Sequence, residues 1–181
     1  MEQKRYTCIE VTLEPNNYDK IKEVYRLHKE QANRLFDLTS GISSDEDIME
    51  LIKNRIEYET VLLIYDEIDN RYAGCITFAN IEVYKDTIIN TEVHPVISKR
   101  YWGKSSRDIV NSIYEFIDDN FYPINRLEAR VPSNNFGVIK LLKDVGFTIE
   151  GTLKNRLIYK DKYGNEKYYN QLIYSNMDRR K

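Results

Sequence analysis

Three runs rich in β-branched residues, VLLIYDEI (61–68), AGCITFANI (73–81) and TIINTEVHPVI (87–97), follow one another with only the short polar turns DNRY and VYKD between them. Connections this short reverse the chain, because a parallel return needs a crossover of a dozen or more residues. The stretch therefore predicts an antiparallel meander. A sheet of this kind must be covered by helices or by a second sheet, and the flanking sequence supplies helices.

Upstream, RYTCIEVTL (5–13) alternates as a strand and stops at Pro15-Asn16-Asn17, which offers a helix start. From Tyr18 to Leu38 the residues Ile21, Val24, Tyr25, Ala32, Leu35 and Phe36 recur at helical spacing. His28 lies on that stripe, so it is read as a packed residue. After a break at Thr39-Ser40-Gly41, Ser44 with Asp47 resembles a capping box, and Ile48, Leu51, Ile52 and Ile56 continue a second helix.

Downstream, Ser105 to Phe121 places Ile109, Val110, Ile113, Phe116 and Ile117 on one helical face, with Ser105 and Asp108 at capping-box spacing. RLEARV (126–131) alternates strictly as a strand. SNNFGVIKLLKDVGF gives a capped helix stopped by Gly146, and the remainder reads as a long hairpin turned at Tyr163-Gly164-Asn165. The predicted order is β-α-α-β-β-β-α-β-α-β-β: an α+β (mixed α/β) chain with a mostly antiparallel, mixed central sheet flanked by helices. No internal repeat is visible, and 181 residues fit one domain, taken as 1–181.

Charge and cysteine content narrow the class of function. A formal net charge of −2 gives no general grip on nucleic-acid phosphates, so no nucleic-acid partner is expected. Cys8 and Cys75 form no disulfide framework, and His28 and His94 with them give no zinc spacing, so no metal site is expected. The N-terminus lacks the apolar core of a signal peptide, and no apolar run reaches the roughly 18 to 20 residues of a membrane span. These features predict a cytoplasmic protein without a membrane partner; a homodimer is left open.

The stretch RYWGKSSRDIV (100–110) joins the meander to the next helix. A helix start leaves its first N–H groups unpaired at the positive end of the dipole and so attracts anions. Gly103 lets backbone approach a phosphate, while Lys104, Arg107, Ser105 and Ser106 add charge and donors. A P-loop is the disfavoured of two phosphate-binding readings, because Ser98 stands where that motif needs a glycine and an antiparallel meander is the wrong sheet.

RYWGKS instead resembles the acetyl-coenzyme A pyrophosphate loop of the GNAT superfamily of N-acetyltransferases, Gln/Arg-x-x-Gly-x-Gly/Ala, with Arg100 and Gly103 matching and Ser105 departing in the last place. Asn135, the helix FGVIKLLKDV and Gly146-Phe147 resemble the superfamily's Asn…Gly-Phe arm. The tail GFTIEGTLKNRLIY…YYNQLIYS is similar to the branch holding ribosomal-protein N-terminal (RimJ/RimL-like) and spermidine N-acetyltransferases.

The resemblance implies acetyl-CoA as co-substrate and direct attack by a primary amine, either a protein N-terminus or lysine or a polyamine-like molecule. The alternative is a catalytically weak or inactive acyl-CoA-binding or protein-interaction module. The backbone of Gly103, Lys104, Ser105 and Ser106 would hold the pyrophosphate, with Arg100, Lys104 and Arg107 as charge partners and Asn135 on the pantetheine arm. In the family the strand before the loop splays and its free N–H groups bind the thioester arm, which by spacing falls at Val96 and Ile97. Pro95 supports a disturbed ladder there, since proline lacks the donor.

Removing a proton from an alkylammonium with pKa near roughly 10.4 needs a base. Glu92 and His94, two residues apart on one strand face, are the candidates, acting directly or through water. The family's tyrosine thiol donor position is Leu142, and the alternative serine position is Val138. Tyr159, Tyr168 and Tyr169 are expected to pack on or wet the sheet surface. Asp45, Glu46, Asp47 and Glu50 either draw a cationic amine or simply face the helix dipole.

Overall fold

The structure, a computed structural model, describes residues 5–35, 42–120, 123–161 and 163–177, and not the side chains of residues 33, 34, 104 and 177. The predicted break at 39–41 and the ends of two predicted helices, 36–38 and Phe121, lie outside the described residues.

The alternating segments form β1 (Tyr6–Glu10), β2 (Thr60–Asp66), β3 (Arg71–Tyr84), β4 (Thr87–Ile97), β5 (Arg126–Pro132), β6 (Thr148–Lys160) and β7 (Glu166–Met177). The periodic ones form α1 (Tyr18–Glu30), the short α2 (Ala32–Leu35), α3 (Asp45–Tyr58), α4 (Lys104–Asn120) and α5 (Phe136–Asp144). One seven-stranded sheet results, in the order β1-β2-β3-β4-β5-β7-β6. Every pairing is antiparallel except that of β4 with β5, which the crossover through α4 makes parallel. The predicted α+β order is observed. The meander differs in extent: β3 runs on to Tyr84, bulging between Ala79 and Glu82, with Asn80 at φ 50°.

Period-2 alternation divides the sheet's side chains between two cores. Leu62, Ile76, Phe78, Val93, Leu127 and Ala129 meet Ile109, Ile113 and Ile117 of α4 and Leu142 of α5. Val61, Leu63, Cys75 and Val96 meet Val24 and Leu27 of α1 and Ile48, Ile52 and Ile56 of α3 on the opposite face. The α3 start is fixed locally: the Ser44 side chain accepts from Asp47 N at 3.1 Å, and the Asp47 carboxylate accepts from Ser44 N at 2.8 Å. Donation from the Ser43 backbone and hydroxyl, then from Ser44, holds the Asp47 carboxyl below its usual range.

Candidate active site

β4 and β5 share two paired positions, Thr91 with Leu127 and Glu92 with Glu128, plus an isolated bridge from Ile88 to Ile124. Beyond Glu92 the two strands part, while β4 stays registered with β3 as far as Ile97 opposite Gly74. At that end the backbones come so close that a Cβ on Gly74 would lie 2.7 Å from the Val96 carbonyl oxygen, so only glycine fits. Ser98 N donates to Ala73 O, so strand alternation turns the Val96 N–H toward β3 as well. On the β5 side, the Val93 N–H belongs to the Glu92–Glu128 pairing, Pro95 has no donor, and the Ile97 backbone faces the gap. This differs from the expectation for Val96, whose amide is turned away from the opening, and leaves Ile97 as the expected amide that faces it.

A cleft of about 900 Å³ opens from this gap. Val93, Pro95 and Ile97 line it from β4, Trp102, Gly103, Ser106 and Arg107 from the turn and α4, and Asn135, Lys140 and Leu142 from the α5 segment. The Trp102 indole N–H and the Gln31 amide both donate to the Ile97 carbonyl, pinning the strand end to the turn. Gln31 carries no motif, and no sequence signal marked it. Tyr159 and Tyr169 also line the cleft, edge to face with ring centroids 5.9 Å apart, whereas Tyr168 is exposed and bonds Glu166.

The turn is built around Gly103 at φ 90°, with open space where a Cβ would be. That conformation starts α4 at Lys104, one residue before the predicted cap, and so places Ser105 inside the first turn. Ser106 is buried with its hydroxyl on Tyr101 O at 2.8 Å and its N–H on Gly103 O at 3.2 Å, so it tightens the turn from within. Gly103, Lys104 and Ser105 supply the remaining backbone donors of the helix start. Arg107 lines the cleft and pairs with Asp144 at 2.9 Å, tying α4 to the end of α5.

Arg100 departs from expectation. Its guanidinium reaches Asp69 at 3.4 Å and lines a separate groove with Arg26, Arg71 and Tyr72, because the turn of Lys99–Tyr101 rotates it to the other side of the chain. Lys140 lines the cleft instead. Asn135 caps α5, its side chain accepting from Val138 N at 3.4 Å.

On the α1/α3 face of the gap stand Glu92 and His94. Glu92 is 7% exposed; its Oε2 accepts from Asn80 Nδ2 at 3.1 Å, and its Oε1 lies 3.5 Å from both His94 Nε2 and Arg130 Nε. Burial pushes the His94 imidazole down to about 4, with Arg55, Arg130 and His28 adding to the shift, so the ring is neutral at pH 7. Glu128, beside Glu92 across the strands, is bound by Arg130 and Arg126 at 2.8 Å each. Burial raises the Glu128 carboxyl, but those two partners outweigh it and the net shift is downward. The four acidic residues at the α3 start have local explanations in two cases: Asp47 closes the cap and Asp45 pairs with Lys29.

An open helix start at the mouth of a cleft that ends between two parted strands, with buried carboxylates on the far face, defines a protein that takes up an elongated anionic ligand and works at its far end. Residues 11–168 match the family described as "Acetyltransferase (GNAT) domain", and the chain belongs to that family of acetyltransferases. It is an N-acetyltransferase whose acyl donor is acetyl-CoA. No curated protein matches the sequence.

Among solved structures, the fold is similar to that of the Salmonella typhimurium acetyl transferase that modifies the N-terminal serine of ribosomal protein L7/L12 (15% identity, TM-score 0.70, covering 97% of this chain and 96% of that one). It is likewise similar to ribosomal-protein-S5-alanine acetyltransferase from Vibrio fischeri (16%, 0.68, 99% and 97%). Spermidine N-acetyltransferase from Vibrio cholerae, solved with CoA and spermine, is a third (18%, 0.67, 97% and 96%).

Proposed function

We propose that this enzyme acetylates a primary amine that approaches from the α1/α3 face, with Glu92 as the proton acceptor. The observation that carries the reading is the end of β4–β5 pairing at Glu92 and Glu128, which opens the sheet between the donor cleft and a buried carboxylate. The residues present fit acetyl-CoA. The cleft's volume lies at the upper end of the roughly 300–1,000 Å³ typical of ligand sites, and nothing within 4 Å of a Gly103 Cβ obstructs the helix start.

When bound, acetyl-CoA supplies an activated acetyl group. The amides of Gly103, Lys104 and Ser105 would hold its pyrophosphate, with Arg107 and Lys140 lining the same mouth and Asn135 beside the arm. The outward N–H of Ile97 is placed to bind a carbonyl oxygen in the gap, and would take up the charge developing on the acetyl oxygen. Leu142 is apolar and offers no proton, so departure of the thiol rests on its own acidity, pKa near about 8.5.

Glu92 is favoured over His94 because it stands at the last β4–β5 pair, where the sheet opens, with its carboxylate held by Asn80 Nδ2 at 3.1 Å. The amine class follows the relatives: a protein N-terminus or a polyamine-like molecule. Thiol release should appear with at least one member of an amine panel spanning peptides with free N-termini, lysine and polyamines. Glu92→Gln should lower kcat by about 10²–10⁴-fold and His94→Asn by less. A Glu92→Gln enzyme at the wild-type rate would remove the assignment.

A further inference from the structure

Alternation along β5 puts Arg126, Glu128 and Arg130 on the α1/α3 face and Leu127, Ala129 and Val131 in the other core. Glu92 and Glu128 are the last residues paired across the parallel seam, and both are nearly buried, at 7% and 8% exposure. Two carboxylates abreast repel unless a cation lies between them. Were the pairing to continue two residues further, His94 and Arg130 would stand opposite each other. The strands have parted there, so Arg130 leans back over the opening. Its Nε lies 2.8 Å from Glu128 Oε1 and 3.5 Å from Glu92 Oε1.

Glu128 is held independently from its other side. Arg126 Nη1 bonds Glu128 Oε2 at 2.8 Å and Asn90 at 2.9 Å, and the same guanidinium pairs with Glu150, which in turn accepts from Ser175. Glu128 is thus a fixed strut, and Arg130 bridges from it to Glu92. The other groups facing Glu92 are Asn80 from β3, His94 from β4, and Glu59 just after α3, whose carboxyl burial raises, with Arg55 opposing and Glu92 adding to the shift. Of these, Asn80 hydrogen-bonds the carboxylate at Oε2 and Arg130 pairs with it at Oε1, and among the described residues Arg130 joins it to the neighbouring strand.

We infer that Arg130 is a positioning residue for amine acetylation, holding the Glu92 carboxylate at the rim of the β4–β5 opening through the Arg130–Glu128–Arg126 chain. The inference rests on the reading of Glu92 as proton acceptor. It also gives Glu128 a role in support of the reaction without contact with either substrate.

The test is a double-mutant cycle on the whole chain, measuring kcat for the amine at saturating acetyl-CoA with Glu92→Gln, Arg130→Gln and both together, and Arg130→Lys beside them. Arg130→Gln should lower kcat by at least about tenfold, a fraction of the roughly 10²–10⁴-fold a positioned base contributes. Arg130→Lys, which keeps the charge but not the planar guanidinium, should recover part of that loss. In the Glu92→Gln background Arg130→Gln should change nothing further, which a general loss of structure would not reproduce. Thermal stabilisation by acetyl-CoA should survive in Arg130→Gln, since the donor cleft is untouched.

A normal rate in Arg130→Gln beside a slow Glu92→Gln would overturn the inference alone, as would an undiminished Arg130→Gln effect in the Glu92→Gln background. A normal rate in Glu92→Gln would overturn the base assignment and this inference together. If Arg130→Gln fails to fold, Arg130→Lys carries the same cycle.

Discussion

His28 sits 2% exposed in the core between α1 and the sheet, its Nδ1 2.9 Å from Val24 O and 4.0 Å from Cys75 Sγ. Burial pushes its imidazole down to about 4, against a smaller upward pull from the Val24 carbonyl. A folded pKa below the unfolded value of roughly 6.5 means that the unfolded chain takes the proton first. Stability is therefore complete above about pH 6.5 and declines as pH falls toward about 4. His28→Leu should lose less stability between pH 7 and pH 5 than the wild type in urea unfolding; equal losses would refute the assignment.

Asp66 behaves in the opposite chemical sense with the same pH direction. Burial raises its carboxyl, but Arg5 at 2.9 Å and the N–H groups of Asp69 and Ile68 outweigh it, and the net shift is down. Its contribution is present above the unfolded value of about 3.9 and lost as pH falls through the lower folded value. Asp66→Ala should destabilise by about 1–3 kcal/mol at pH 7, read from the denaturation midpoint, because it strands two turn N–H donors.

At the level of elements, helix starts decide both stability and binding. Ser44→Ala should cost about 1 kcal/mol in unfolding free energy by opening the reciprocal cap of α3, with no effect on acetyl-CoA binding. Gly103→Val, at φ 90°, should strain the turn by about 1–3 kcal/mol and abolish stabilisation by acetyl-CoA while the sheet persists by circular dichroism.

The two starts also show what the sequence could convey. The α3 cap is written in neighbouring residues, Ser44 and Asp47, and was legible. The α4 start was misread by one residue because Gly103's left-handed backbone, not a side-chain cap, begins that helix. The resemblance of RYWGKS to the family's loop implies a place for Arg100 there, yet a single 3-10 turn sets it beside Asp69. The Arg130 bridge needed the pairing of two strands more than thirty residues apart, which local pattern does not encode, although the alternation in RLEARV already placed Arg126, Glu128 and Arg130 on one face.

Across the whole molecule, one sheet separates the cleft on the α4/α5 side from the Glu92, Glu128 and Arg130 cluster on the α1/α3 side. Acetyl-CoA at a hundredfold of its dissociation constant should stabilise the fold by about 2.7 kcal/mol. For a chain of this size that is a rise in Tm of roughly 5–10 °C, and a flat thermal profile would contradict the donor assignment.

The narrow seam where β4 meets β5 divides the sheet into a four-stranded and a three-stranded leaf stitched by two residue pairs and one isolated bridge. A carrier lying in that slot would act as a rivet between the leaves, so each turnover would alternately lock and loosen the two halves. Amide deuterium uptake along residues 91–97 should slow when the carrier binds and quicken again on its release.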